Sequence, residues 1–256
     1  MKNQSIKYAL IGVLLLIGLS ITVSSCKSGK VKSYHNIGDP RLDLSRKYLK
    51  EVPEFVFSRK DLKVLNLHNN KLNTLPPEIG QLTNLERLIV SRNDLVSIPK
   101  EIGQLKKLRK LSLKANKLTV IPPEIGQLDS LEELWLSFNN LKQLPDEICN
   151  LKNLSHLYLE YNELQKLPDS LGKLNGMIHL VVGRNQLTEL PASFYNLRKL
   201  NILDLSMAGP QLRIDQAICQ MWKLETLYID RPNLDFAPRC LEIRSRSNPR
   251  FTIIIK

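Results

Sequence analysis

The chain has 256 residues, 43% hydrophobic and 24% charged, with 37 Lys and Arg against 25 Asp and Glu for a formal net charge of +12. Such an excess favours anionic partners: glycans, phospholipid head groups or acidic proteins. Four cysteines without a CxxC pair exclude a zinc-ribbon reading. No G-x-S-x-G elbow, HExxH helix or Gly-rich phosphate loop offers a catalytic centre, so an enzyme is not expected.

The chain opens with an export address. Lys2 and Lys7 form a positive start, and Ala9 to Val23 make an apolar run of 15 residues. A bilayer span needs about 20 residues, so the run fits the hydrophobic part of a signal sequence; a short uncut anchor is the alternative. It ends in VSSC, Val23 to Cys26. These residues resemble the bacterial lipobox, which implies diacylglycerol on the Cys26 sulfur, cleavage before it and acylation of the new amine. Two or three acyl chains anchor firmly where one holds marginally. KSGKVKSYHNIG, Lys27 to Gly38, is short, basic and polar and reads as a flexible tether. The expected organisation is a lipoprotein signal peptide over 1–25, lipidated cysteine and tether over 26–38, and one folded domain over 39–256. Lys27 supplies no acidic inner-membrane retention mark, so the cell envelope, at the outer membrane or cell surface, is the expected location. An exported chain with no nucleic-acid-binding motif is not expected to bind nucleic acid.

From there a period of 23 residues takes over. Asn70, Asn93, Asn116, Asn139, Asn162 and Asn185 recur at that interval within the frame L-x-x-L-x-L-x-x-N-x-L-x-x-L-P-x-x-I-x-x-L. Leucines at the fourth position (Leu65, Leu88, Leu111, Leu134, Leu157, Leu180) and aliphatics at the sixth alternate with polar residues, the mark of a strand with one buried face. The asparagine sits where the chain leaves the strand, with both donors and an acceptor for stranded backbone groups. A proline at the fifteenth position (Pro76, Pro99, Pro122, Pro145, Pro168, Pro191) blocks a long helix on the return path, predicting short 3₁₀ or extended segments. Fixed self-similarity at this period means a repeat solenoid.

The pattern resembles the leucine-rich repeat, in its bacterial 23-residue variety, over about residues 39 to 256. The resemblance implies an α/β-type solenoid with a curved parallel sheet on its concave face. The ends depart from the frame, as solenoid caps do. Lys47 stands where asparagine belongs upstream, Ala208 does so in a unit one residue longer, and LETLYIDRPNL displaces its asparagine by one place to Asn233. RFTIIIK reads as a last edge strand. Cys149 occupies the slot of Gly80, Gly103 and Gly126 and is expected to be small and buried; a capping disulfide between Cys219 and Cys240 is left open.

In a parallel stack, equivalent positions of adjacent units lie one strand spacing apart, and positions 3, 5, 7 and 8 face outward. That places Trp135 beside Tyr158 and Phe138 beside Tyr161, with Arg184 and Glu160 flanking. Aromatic and arginine side chains are the usual interface anchors, so these six are the expected protein-binding residues. Arg87, Arg92, Lys110 and Lys114 form a basic strip on two earlier strands, the candidate polyanion-binding residues. His156, His179 and Glu133 supply zinc-type donors on neighbouring strands, yet exposed histidines stack this way without metal more often than with it; no metal or cofactor is expected. The resemblance extends to bacterial leucine-rich repeat lipoproteins, which implies an anchored recognition module for a protein ligand, in adhesion or host-protein binding. Acidic glycan binding by the basic strip and an envelope structural or assembly role are the alternatives.

Overall fold

The structure, a computed structural model, describes residues 38–256; the signal segment, Cys26 and nearly all of the tether lie outside the described residues. Ten strands follow one another in one parallel sheet, each hydrogen-bonded to its neighbours in sequence order. They are β1 (Arg41–Asp43), β2 (Val64–Asn66), β3 (Arg87–Ile89), β4 (Lys110–Ser112), β5 (Glu133–Trp135), β6 (His156–Tyr158), β7 (His179–Val181), β8 (Ile202–Asp204), β9 (Thr226–Ile229) and β10 (Thr252–Ile255). The register is the sequence period itself: Leu65 pairs with Leu88, Leu88 with Leu111, Leu111 with Leu134, and so on to Leu203. These leucines, with Leu67, Val90, Leu113 and Leu136 two residues on, are completely buried. The core is thus a ladder of like side chains, each coil packing on the next.

Every asparagine of the frame bridges two coils. Asn139 accepts the Leu118 N–H through Oδ1 at 3.0 Å, and its Nδ2 donates to Leu113 O at 3.1 Å and Leu136 O at 2.9 Å. Asn93, Asn116, Asn162 and Asn185 repeat these three bonds, 21 residues back, 26 back and 3 back. The unit that carries Ala208 solves the same problem with backbone. Leu187 N–H, which would await an asparagine oxygen, donates to Ala208 O at 2.7 Å. The extra residue of that unit permits this approach and requires Gly209, since a Cβ there would overlap the Leu187 carbonyl oxygen. The displaced Asn233 still performs the bridging role from a short helix, Arg231–Asp235: it is 1% exposed, accepts from Leu212 N at 2.8 Å and donates to Gly209 O at 3.0 Å. At the other end Lys47 has no such amide, and its coil is held by Asn70, which accepts from the Lys47 and Leu49 N–H groups.

On the convex side the return path makes 3₁₀ turns such as Pro77–Gln81, Lys100–Gln104 and Pro123–Gln127, each following a proline in extended backbone. A Cβ on Gly80 or Gly103 would press on the next coil's carbonyl at 2.7 Å, which is why that slot holds glycine. Cys149 fits there because the following 3₁₀ segment is shortened to Leu171–Lys173. It is buried, and burial, reinforced by Asp146, raises its thiol to about 11, so it stays protonated and inert at neutral pH.

The disulfide left open by the sequence is formed: Cys219 and Cys240 are bonded, with Cα atoms 6.0 Å apart. It ties the helix Cys240–Ser247 to the 3₁₀ turn Gln216–Gln220. Arg244 from that helix donates to Met221 O, Trp222 O and Leu224 O at 2.8–3.1 Å, closing the end of the core. Replacing both cysteines by serine should lower stability by about 3 kcal/mol for a closed loop of this length. Thermal unfolding checks this: the wild type should match the variant under reducing conditions and exceed it otherwise. Among the described residues no helix is long and apolar enough to cross a membrane.

Candidate ligand-binding face of the sheet

The outward side chains of β4 to β7 converge as the period requires. Trp135 and Tyr158 are register partners on β5 and β6, their rings parallel within 13° and 5.6 Å apart. Three residues further along each coil, Phe138 and Tyr161 stack at 4.1 Å and 15°. The outer faces of this second pair are capped by cations: Lys114 Nζ lies 5.1 Å from the Phe138 ring centre and the Arg184 guanidinium 4.8 Å from that of Tyr161. The result is a four-membered ladder of cation, ring, ring and cation across four coils. Such contacts hold the rings in fixed orientation, so a ligand meets a preorganised surface with little rotamer entropy to lose.

The backbone beneath that ladder is strained. The residue before each asparagine takes a left-handed conformation: Arg92, Ala115, Phe138, Tyr161 and Arg184 all have φ between 55° and 58°. For a residue with a bulky side chain this costs roughly 1–2 kcal/mol, and asparagine or glycine would adopt it more cheaply. Asn69 shows the cheap solution in this same chain. Phe138 and Tyr161 nevertheless occupy two consecutive copies of the position, 41% and 42% exposed. Between the two ring pairs lie Ser137 and Glu160, adjacent through the Phe138 N to Glu160 O bond of 2.9 Å; Ser137 Oγ and Glu160 Oε2 are buried without a hydrogen-bond partner.

The histidines serve the aromatic cluster. His179 sits edge-on to Tyr158 at 5.1 Å, with its Nδ1 3.3 Å from the Tyr158 hydroxyl. His156 Nδ1 is 2.8 Å from Ser155 Oγ, and Glu133 forms an ion pair with Lys110. Their ring nitrogens and carboxylate are therefore turned to separate partners. Among the described residues no three such groups gather to hold a metal ion. Burial first, then the charge of His156, lowers the His179 pKa from its ordinary 6.5; burial, then Arg92 and Arg46, lowers that of His68. Both rings bind protons less readily folded than unfolded, so the unfolded chain gains protons first as pH falls through about 6.5. Stability should therefore decrease on acidification from pH 7.5 to 5.5, and melting curves of a His68→Asn, His179→Asn double variant should show a smaller decrease.

The basic strip adjoins the aromatics. Arg87 is exposed on β3 and Lys110 follows on β4. Lys114 caps Phe138 as described, and Arg92 lies at a left-handed turn whose N–H donates to Lys114 O at 2.9 Å. Arg87, Lys110, Ser112, Lys114 and Trp135 line a shallow depression of about 360 Å³ over Leu88 and Ile89. The two expected subsites therefore share a wall, Trp135. The unstated residue in that reading is Ser112: as the only small side chain between Ile89 and Trp135 in its column, it was the available signal for a notch.

The family profile described as "Leucine-rich repeat region" matches residues 20–140, 96–180 and 134–240. The chain belongs to the leucine-rich repeat family. Comparison with curated proteins gave no match. Among solved structures, an internalin (inlF) from Listeria monocytogenes is similar at 20% identity and TM-score 0.71, over 83% of this chain and 59% of that one. A TDR receptor is similar at 27% identity and TM-score 0.70, over 84% and 38%. The Arabidopsis receptor kinase HAESA leucine-rich repeat ectodomain, solved with an IDA peptide hormone ligand, is similar at 30% identity and TM-score 0.64, over 77% and 36%. The leucine-rich repeat chain described here thus spans less than two thirds of each of these solved chains.

Proposed function

We propose that this leucine-rich repeat domain is a non-catalytic recognition module, held at the cell envelope by lipid on Cys26, that binds a protein ligand on its concave face. The observation that carries the reading is the pair of stacked aromatic couples, one of them kept at strained backbone positions that cheaper residues could fill. Strain retained at an exposed site is the kind of cost that a stable fold does not need and a binding site does. Trp135, Phe138, Tyr158 and Tyr161 are the anchors; Arg184 and Glu160 flank them. The HAESA ectodomain, solved with a peptide hormone, supports a peptide or protein as the class of ligand. The Cys219–Cys240 disulfide supports an oxidising compartment, and so an exported chain, independently of the VSSC segment.

The test uses the lipid-free domain, residues 39–256, as bait for captured proteins, followed by titration of each captured partner. Trp135→Ala with Tyr158→Ala should weaken binding more than tenfold while the melting temperature barely moves, since both rings lie on the surface side of the sheet. Unchanged affinity would remove the aromatic cluster from the interface. Protease treatment of intact cells distinguishes an exposed receptor from an internal envelope component, because the latter survives.

A further inference from the structure

We infer that the notch between Ile89 and Trp135 binds an acidic sugar ring, a uronate unit of a glycan; it shares Trp135 and Lys114 with the aromatic cluster but does not rest on the protein-ligand reading. One column of outward side chains runs Ile89, Ser112, Trp135, Tyr158 across β3 to β6 in direct register. Tyr158 covers one face of Trp135. On the other side stands only the Ser112 hydroxymethyl, so the second indole face is open to the depression that Ser112 and Trp135 both line. Ile89 and Trp135 are two strand spacings apart, about 10 Å. Van der Waals contact on both faces of an inserted group takes up about 7–8 Å of that, so the slot is one ring thick.

The sides of the slot set the charge of what enters. Arg87 stands on one side and Lys114 on the other. Neither forms an ion pair with a carboxylate in the described structure, while Lys110, beside Arg87 on β4, is shared with Glu133. An anionic substituent at the slot's rim therefore meets two uncompensated cations in a partly desolvated hollow, where charge-assisted hydrogen bonds are strong. A sugar ring places its apolar C–H face on the indole and its hydroxyls toward Ser112, Lys110 and Glu133, which offer both donors and an acceptor. An Asp or Glu side chain of a peptide carries the charge but has no flat face to occupy the space between Trp135 and Ile89.

The experiment uses the detergent-solubilised full chain carrying Trp222→Phe, which leaves Trp135 as its one tryptophan. It is titrated with a uronate-containing tetrasaccharide, the same tetrasaccharide with its carboxylates reduced to alcohols, and an acidic peptide of equal charge. Uronate should shift Trp135 emission saturably, and carboxyl reduction or Arg87→Gln with Lys114→Gln should weaken it about tenfold or more. Ser112→Phe should abolish it by filling the slot with a ring that continues the existing stack and leaves Trp135 the one tryptophan, with its melting curve confirming the fold. Lys142→Gln with Lys166→Gln, two basic residues outside the slot, should change affinity less than twofold. Equal binding of the reduced sugar, equal or tighter binding of the acidic peptide, or full binding by the Arg87→Gln, Lys114→Gln variant would each overturn the assignment. Those last three results are readable even if Ser112→Phe does not fold.

Discussion

Asn139→Ala is expected to cost about 3–5 kcal/mol, several times the effect of an ordinary surface change. The side chain is 8% exposed and pairs one N–H and two carbonyls drawn from two different coils. Alanine leaves the Leu118 N–H without a partner, at roughly 1–3 kcal/mol, and takes from each carbonyl one of its two donors, at roughly 0.5–1.5 kcal/mol apiece, since Leu113 O keeps Asn116 Nδ2 and Leu136 O keeps Asn162 Nδ2. Asn139→Asp separates this account from simple loss of volume. Aspartate keeps an acceptor for the Leu118 N–H but turns a second set of lone pairs toward the Leu113 and Leu136 carbonyls. It should be at least as damaging as alanine despite near-identical size. Urea unfolding of the three proteins decides the matter; a loss below about 1 kcal/mol for aspartate would show that water substitutes for the amide.

The second large effect separates stability from binding. Phe138→Asn with Tyr161→Asn should change stability by no more than about 1 kcal/mol while weakening the protein ligand about 100-fold. Relief of the left-handed strain contributes roughly 1–2 kcal/mol per residue. Against it stand one ring–ring contact of about 0.5–1.5 kcal/mol and two exposed cation–π contacts of about 0.5–1 kcal/mol each. The sums nearly cancel, so the aromatic pair has little net value to the fold. On the proposed function its value lies in the surface it presents, and loss of two central aromatic anchors typically costs several kcal/mol of affinity. Paired melting and titration curves test both halves. A stability loss above about 2 kcal/mol would make the rings structural, and undiminished affinity would exclude them from the interface.

Much of this surface is legible in the sequence alone, because a parallel stack converts an interval of 23 residues into spatial contact. Trp135 meeting Tyr158, and Phe138 meeting Tyr161, required only the repeat frame. The basic strip was found the same way, but its partition was not. That Lys110 is taken by Glu133 while Arg87 and Lys114 are left without a carboxylate partner depends on side-chain reach, which a column of letters does not express. Position 3 shows the same thing: the letters put His156, His179 and Glu133 on neighbouring strands, and their rotamers send them to Ser155, Tyr158 and Lys110. The irregular end was the other blind region. Ala208 stands in place of the asparagine and Asn233 is displaced from the frame, yet a carbonyl and a helix-borne amide reproduce the bonding once the backbone moves. Backbone strain at Phe138 and Tyr161 was inferable in principle from a turn position that asparagine prefers, though only the dihedral angles expose it.

The asparagine bridges also bear on how such a chain can change length. Because each one serves its own coil and the coil before, every ordinary junction has the same chemistry, and excising or duplicating one whole unit joins ends that already fit. Genetic recombination can thus slide the aromatic cluster nearer to or farther from the first coil without inventing a new contact. The Gly209 coil is the exception: its backbone substitute matches only the neighbours it has, so variation in unit number should accumulate before it and stop there.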